Sequence, residues 1–439
     1  MESLGEAVSE TGCIEIFVSK FGEEEACPIR LDAKATVEDV KEIIFKQIGI
    51  APFLQALTLD ECPLQEANKA VTEYGVKDGS HLDLIRVKDP HVVITASEDN
   101  TARMWNGATG LSMQTFSGHS DSVLFAMFSP NGLLALTLSD DRTVKVWKSD
   151  SGDCVHTLSG HTGWVYSAIF SPDGRAVLTA SHDKTAKVWE TSSGECLITI
   201  TGHLDDPQTG CGWIHWATFS PDSSFVLTAS DDRTLKLWAA ADGKLVRTLS
   251  GHEGVVRFAQ FSPEGDAVVS ASQDKTARIW HPHAEEEEQI GERWKLEGHG
   301  SWVHSAAFSP DALCVVSASE DRTAKIWSVR TGDCIHTLCG HASWIRSAVF
   351  SPDGASVLTA SDDKTAKLWS TSSGTCIRTF ESHTGWVRTA MFSADGSFVL
   401  TSSDDSTAKI WNTATGECTQ TLSGHGSIVH SAIFLLTNV

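Results

Sequence analysis

The sequence predicts a mainly β chain: an eight-bladed β-propeller over residues 88–439, preceded by a small α+β unit of β-grasp order over residues 13–87. Three observations carry this. A Gly-His pair returns at nearly constant spacing, a tryptophan returns in step with it, and short β-branched segments bounded by turn residues fill the intervals. Residues 1–12 fit neither pattern and are expected to be disordered.

The repeat sets the architecture. Histidines stand at His119, His161, His203, His252, His299, His341, His383 and His425, at intervals of 42, 42, 49, 47, 42, 42 and 42 residues. Tryptophans follow at Trp105, Trp147, Trp189, Trp238, Trp280, Trp327, Trp369 and Trp411. Before each runs Ser-x-Asp-x-Thr, giving Ser97, Ser139, Ser181, Ser230, Ser272, Ser319, Ser361 and Ser403. Two residues after each serine come Asp99, Asp141, Asp183, Asp232, Asp274, Asp321, Asp363 and Asp405. Segments such as Ala176–Ser181 and Thr185–Trp189, with turns such as Ser171-Pro-Asp-Gly174, read as short antiparallel strands, four to a unit. The repeats open at His91–Ser97, a second strand lacking a first, and end at Ser427–Phe434, a first strand lacking a second. Eight blades result if the last strand completes the first blade, which also pairs both exposed edges. The alternative is a seven-bladed ring with one spare repeat.

The pattern resembles the WD-repeat family over about residues 91–435. The family's usual Asp after the Trp is replaced by Asn, Lys, Glu, Ala, His or Ser. The resemblance implies a structural tetrad in each blade, with His bonded to Ser and Asp and Ser to the Trp indole. His, Ser and Asp also suit a hydrolase triad, but catalysis has no use for eight copies beside a Trp.

Residues 13–87 have another grammar. Cys13–Val18 and Ala26–Leu31 read as a hairpin. Residues 36–48 read as an amphipathic helix, with Val37, Val40, Ile44 and Ile48 on one face, a Thr36/Asp39 capping box and Gly49 at its end. Ala56–Leu59 and His81–Val87 are two further strands. The order resembles ubiquitin, most closely at Ile16–Val18, Thr36–Val40 and Tyr74–Ile85. A conjugable ubiquitin ends in free Gly-Gly, whereas Val87 runs into Lys88-Asp-Pro90, so conjugation is not expected. Ubiquitin's apolar patch aligns with Thr58, Ile85 and Phe21, and its neighbouring histidine with Asp83. Half of the patch is polar here, so generic ubiquitin receptors should bind weakly.

Composition narrows the function. Apolar residues are 41% and charged residues 21% of 439, as in globular proteins. Net charge is 34 − 57 = −23, spread over the whole chain, which argues against nucleic acid or an anionic membrane as partner. No run of 18 apolar residues exists, and Met1–Gly12 has no basic residue, so neither a transmembrane helix nor a targeting peptide is expected. Eleven cysteines without C-x-x-C pairs fit reduced thiols in the cytoplasm or nucleus. Cys154, Cys196, Cys334, Cys376 and Cys418 share one repeat position and read as packing residues. His281-Pro-His283 with Glu285–Glu288 holds suitable metal ligands but reads as an acidic solvated loop. No phosphate loop, nucleophile elbow or H-E-x-x-H motif is present, so neither cofactor nor catalysis is expected.

What remains is a variable surface. Strand directions put the His loops and Ser-x-Asp turns on one face and the Pro-Asp-Gly turns on the other. By resemblance, the first is the binding mouth. Just after the His loops stand Trp164, Trp213, Trp302, Trp344 and Trp386. Two residues on come Tyr166, His215, Arg257, His304, Arg346 and Arg388, with Leu124 and His430 in the other blades. Before the tetrad aspartates stand Glu98, Asp140, His182, Asp231, Gln273, Glu320, Asp362 and Asp404. Trp and Arg beside carboxylates suit a protein or peptide partner; the rival reading packs some Trp rings between blades. The insertion Leu204–Gly210 falls at the mouth, while residues 281–292 and the ubiquitin-like unit emerge on the opposite face. The expectation is a non-enzymatic scaffold, with one partner at the mouth and a second on the ubiquitin-like unit. One alternative is a ubiquitin-pathway adaptor or ligase substrate receptor: Trp327-Ser-Val-Arg330 resembles the Trp-Asp-x-Arg docking motif of cullin–RING receptors, with Ser for Asp. Another is a ribosome-assembly factor of the Notchless type, with Glu23, Glu24 or Glu25 offering a carboxylate to a metal site on a midasin-type motor.

Overall fold

The computed structural model describes residues 13–20, 26–32, 34–48, 55–59, 62–64, 69–86, 91–205, 210–282 and 291–435. Residues 1–12, Phe21 to Glu25, Gly49, the Lys88–Pro90 segment, residues 206–209 and 283–290, and the side chain of Ile85 lie outside it. The chain divides into two compact units, residues 1–90 and 91–439.

In the first unit, β1 (Cys13–Lys20), β2 (Ala26–Asp32), α1 (Val37–Ile48), β3 (Gln55–Leu59), β4 (Cys62–Pro63) and β5 (His81–Arg86) follow one another. They form one sheet ordered β2-β1-β5-β3-β4. β1 and β5 are parallel, Phe17 beside His81, which needs a crossover, and α1 lies in it. Thr36 and Asp39 cap α1 reciprocally: Asp39 N–H donates to Thr36 Oγ1 at 3.2 Å, and Thr36 N–H donates to Asp39 Oδ2 at 2.7 Å. Alternation in β1 and β2 turns Ile16, Val18, Ile29 and Leu31 inward against Val37, Val40 and Ile44 of α1. The two-residue β4 and a 3₁₀ turn, Val71–Tyr74, are additions to the expected order. On β3 and β5, Thr58 stands opposite the exposed Asp83.

The second unit is eight four-stranded antiparallel sheets. Blade 2 is typical: Val123–Phe128, Leu134–Ser139, Val144–Lys148 and Cys154–Leu158, from the innermost strand outward. Blade 1 is Val92–Ser97, Thr101–Asn106 and Ser112–Ser117, completed from the far end of the chain by Val429–Phe434. That strand pairs antiparallel with Val92–Ser97, Ser431 opposite Ala96 and Phe434 opposite Val93. Each sheet packs on the next and the eighth on the first, so the ring closes, and among the described residues no repeat is left outside it.

Burial explains the strand sequences. Second strands lie between neighbours on both faces, so Val177, Leu178, Thr179, Ala180 and Ser181 are all buried, and the strand reads as a continuous apolar and small run rather than an alternation. Fourth strands form the outer rim, and only their inner residues are covered. This corrects the packing role expected of Cys154, Cys196, Cys334, Cys376 and Cys418. All five open the fourth strand and are exposed free thiols.

Candidate functional site

Each blade holds one buried polar chain. In blade 2, Trp147 Nε1–H donates to Thr137 Oγ1 at 2.7 Å, and that hydroxyl lies 2.8 Å from His119 Nε2. His119 Nδ1 lies 2.8 Å from Asp141 Oδ2. A carboxylate only accepts, so Nδ1 carries the proton, Nε2 accepts from the hydroxyl, and every group is satisfied with a neutral histidine. Asp141 also accepts from the Thr143 hydroxyl and N–H, closing the turn.

The hydroxyl in this chain is not the expected serine. It comes from Thr95, Thr137, Thr179, Thr228, Ser270, Ser317, Thr359 and Thr401, each bonded to its blade's Trp and His. The serines two residues later serve the turn. Ser139 Oγ accepts from Asp141 N–H at 3.1 Å and donates to the Asp121 carbonyl at 3.0 Å. Ser97, Ser272, Ser319 and Ser361 do the same, and Ser181, Ser230 and Ser403 accept from Asp183, Asp232 and Asp405. The triad geometry is therefore occupied: its hydroxyl is buried and already accepts from an indole.

The mouth is built on the turns beside these chains. Trp164, Trp302, Trp344 and Trp386 are 47%, 42%, 43% and 44% exposed, an unusual outlay of apolar surface on four rigid strand ends. Trp213 is half-buried, its ring 3.6 Å from that of His182, which is the inter-blade packing of the rival reading. Along the bore, first-strand residues meet the turn residue of their own blade. Arg346 takes both Asp362 oxygens at 2.8 and 2.7 Å, and Arg388 takes both Asp404 oxygens at 2.5 and 2.9 Å. His304 Nε2 lies 3.1 Å from Glu320. Tyr166 Oη lies 2.6 Å from His182 Nε2. Arg257 faces the Gln273 oxygen at 2.8 and 3.0 Å once that amide is turned, so it is the arginine with an uncharged partner. His215 is only 7% exposed, 2.5 Å from Asp231 and covered by Tyr166. It is a support within the mouth wall rather than the contact residue expected. Arg346 lies 5.4 Å from the Trp344 ring and 5.8 Å from the Trp386 ring, and Arg388 lies 5.4 Å from Trp386. At the other end of the bore a cavity of about 380 Å³ is lined by Met127, Phe128, Ile169, Phe170, Phe219 and Phe434, among others, with no charged group to orient a ligand.

Comparison with known proteins agrees with this geometry. The WD domain, G-beta repeat family matches residues 110–148, 152–190, 194–239, 243–281, 291–328, 332–370 and 374–412, more than half of the chain. The chain belongs to the WD-repeat family. Each matched WD repeat starts at the fourth strand of one blade and ends at the third strand of the next. Seven matches therefore fit eight blades, because the eighth repeat is split between Cys418–Phe434 and Val92–Asn106. The ubiquitin family matches residues 16–88. No curated protein matches the chain. Among solved structures it is similar to the computationally designed Ika8 protein, at 27% identity over 73% of this chain and 93% of that one, TM-score 0.64. No helix among the described residues is long and apolar enough to cross a membrane.

The WD-repeat tetrads give this propeller an acid sensitivity. Burial pushes His203 and His252 below the ordinary histidine value of 6.5, only partly offset by Asp232 and Asp274. Burial works to raise the Asp232 carboxyl, but the His203 hydrogen bond and charge and the Thr234 hydroxyl outweigh it, holding it at about 2. Asp99 is likewise held at about 2, burial being outweighed by Thr101, Gly426 and His425. All four groups take up protons less readily folded than unfolded. Their stabilisation is therefore complete above about pH 6.5, falls first as unfolded histidines protonate, and falls again below 3.8 as unfolded aspartates do. The melting temperature should be level from pH 8 to 7 and decline steadily from pH 6.5 to 4. A profile flat down to pH 4 would refute the linkage.

Proposed function

We propose that this WD-repeat protein is a non-enzymatic interaction scaffold, its mouth holding an extended segment of one protein and its ubiquitin-like unit engaging another. One observation carries the reading: four exposed indoles stand on strand ends of a closed ring, two of them braced by arginines already fixed to carboxylates. Such anchors lose little freedom on binding, and Trp and Arg dominate interface energetics. The partner-binding residues on this reading are Trp164, Tyr166, Arg257, Trp302, His304, Trp344, Arg346, Trp386 and Arg388. The hydrolase reading has no support from the tetrads, whose hydroxyls are enclosed. A place in the ubiquitin pathway, as adaptor or substrate receptor, is the second reading, favoured by the ubiquitin-family match. It assigns the first unit a receptor that tolerates Thr58 within the patch and Asp83 in place of the neighbouring histidine.

Trp344→Ala with Arg346→Ala leaves His341, Thr359, Asp363 and Trp369 intact. Affinity for a mouth partner, compared at equal folded fraction, should drop by roughly 2–4 kcal/mol, or about 30- to 900-fold. The melting temperature should fall as well, because Asp362, its side chain 5% exposed, loses the arginine that pairs with it. Quantitative mass spectrometry of proteins captured by the double variant and by a variant lacking residues 1–87 should show two different sets of losses. Identical losses from both would refute two separate docking surfaces.

A further inference from the structure

The mouth contains a template for the chemistry of its own ligand, and the inference drawn from it rests on the reading of the mouth as a polypeptide-binding surface. In blade 7 three parts meet: the Arg346 guanidinium, the Asp362 carboxylate that accepts from it twice, and the indole of Trp386 on the next blade, 5.8 Å away. Blade 2 has the same backbone. Ser139 stands opposite Val123 as Ser361 stands opposite Ile345. Asp140 N–H donates to the Ser122 carbonyl at 3.0 Å, as Asp362 N–H donates to the Trp344 carbonyl at 3.0 Å. Asp140 therefore occupies the position of Asp362, and Trp164 of blade 3 that of Trp386. The position of Arg346 is taken by Leu124.

Two of the three parts are present and the cation is missing. Among the described residues the Asp140 carboxylate makes no hydrogen bond or ion pair, although it is only partly exposed. It is the one carboxylate of the eight turns that faces an aliphatic side chain across its blade; Glu98, Asp231, Glu320, Asp362 and Asp404 face histidine or arginine. Burial, followed by the charges of Asp121 and Asp141, raises its pKa, the mark of a carboxylate without a counter-ion. Trp164 has His182, the turn residue equivalent to Asp404, at 5.3 Å. Tyr166 takes the place that Arg388 holds beside Trp386, and Leu124 the place that Arg346 holds there, so neither cation of blades 7 and 8 has a counterpart.

We propose that the space over Leu124, between Asp140 and Trp164, receives an arginine side chain of the bound polypeptide. The guanidinium would pair with the Asp140 oxygens and lie against the indole, as Arg346 does in blade 7, while its methylenes cover Leu124. Lysine fits less well, because a point-charge ammonium neither forks onto a carboxylate nor stacks.

The test uses immobilised pools of nonapeptides, random except at a central arginine, lysine or citrulline, and the full-length chain in solution. Citrulline keeps the shape of arginine and removes its charge. The arginine pool should bind about tenfold more tightly than the citrulline pool, with lysine between them. Asp140→Asn and Leu124→Arg, the second supplying the cation in cis, should each bring arginine down to the citrulline level without lowering the melting temperature. An arginine preference that survives both variants, or a lysine pool as tight as arginine, overturns the proposal. If all pools bind alike and the Trp344→Ala/Arg346→Ala variant releases them, the arginine site falls and the peptide-binding mouth stands. If no pool binds, both fall.

Discussion

Trp238→Ala is expected to destabilise the propeller by about 3–5 kcal/mol, the range for deleting a large buried aromatic side chain. The ring is 2% exposed and packs among Leu178, Ile200, Ile214 and Phe219, bridging blades 3 and 4. Its loss also removes the donor to Thr228 Oγ1, 2.9 Å away. Two further variants sort the hydroxyls. Thr228→Val strips a partner from both the Trp238 indole and His203 Nε2 and should cost about 2–3 kcal/mol; Ser230→Ala loses one turn contact to Asp232 N–H and should cost about 1 kcal/mol. Denaturant titration of the three gives the order, and Ser230→Ala costing more than Thr228→Val would contradict the assignment. Any effect of Trp238→Ala on binding should track the unfolded fraction, since the ring does not reach the mouth.

Removing residues 425–439 should be harsher. It takes the innermost strand of blade 1, leaving Val92–Ser97 unpaired along one edge, and it takes His425, which lies 2.7 Å from Thr95 Oγ1 and 2.8 Å from Asp99. A fully buried apolar strand with an open edge is a template for pairing with other chains. The truncated protein should aggregate or be cut rapidly within blade 1, and a peptide of the missing strand should slow both. A monomeric truncation as stable as the full chain would mean that Val429–Phe434 does not close the ring.

The architecture was legible because each constraint was repeated eight times: the period counted the blades, and the half-blades at either end predicted how the ring closes. The tetrad was legible in three of its four members. The repeat pattern points to a hydroxyl two residues late because Thr137 and Ser139 both recur, sit on one strand and, being two apart, point to the same side. Periodicity cannot choose between them; the lateral reach of the neighbouring Trp and His does. The fourth-strand cysteines show the converse limit, since a shared repeat position says nothing about which side of a blade faces solvent. His215 was aligned correctly but is enclosed by Tyr166, Asp231 and Arg257, contacts made partly across blades and so invisible in one repeat. In the first unit the helix cap was written in Thr36 and Asp39, whereas a two-residue strand such as Cys62–Pro63 is too short to leave a pattern.

The way blade 1 is assembled also fixes an order in time. Thr95 and His425, which touch in the finished ring, are 330 residues apart. At the usual pace of synthesis, roughly 5–20 residues per second, about 15 to 65 seconds separate their emergence from the ribosome. The other seven sheets are continuous in sequence and acquire all four strands within that interval. Blade 1 is thus the first to be synthesised and the last to be finished, and its inner edge is the surface that a chaperone on the nascent chain would need to guard.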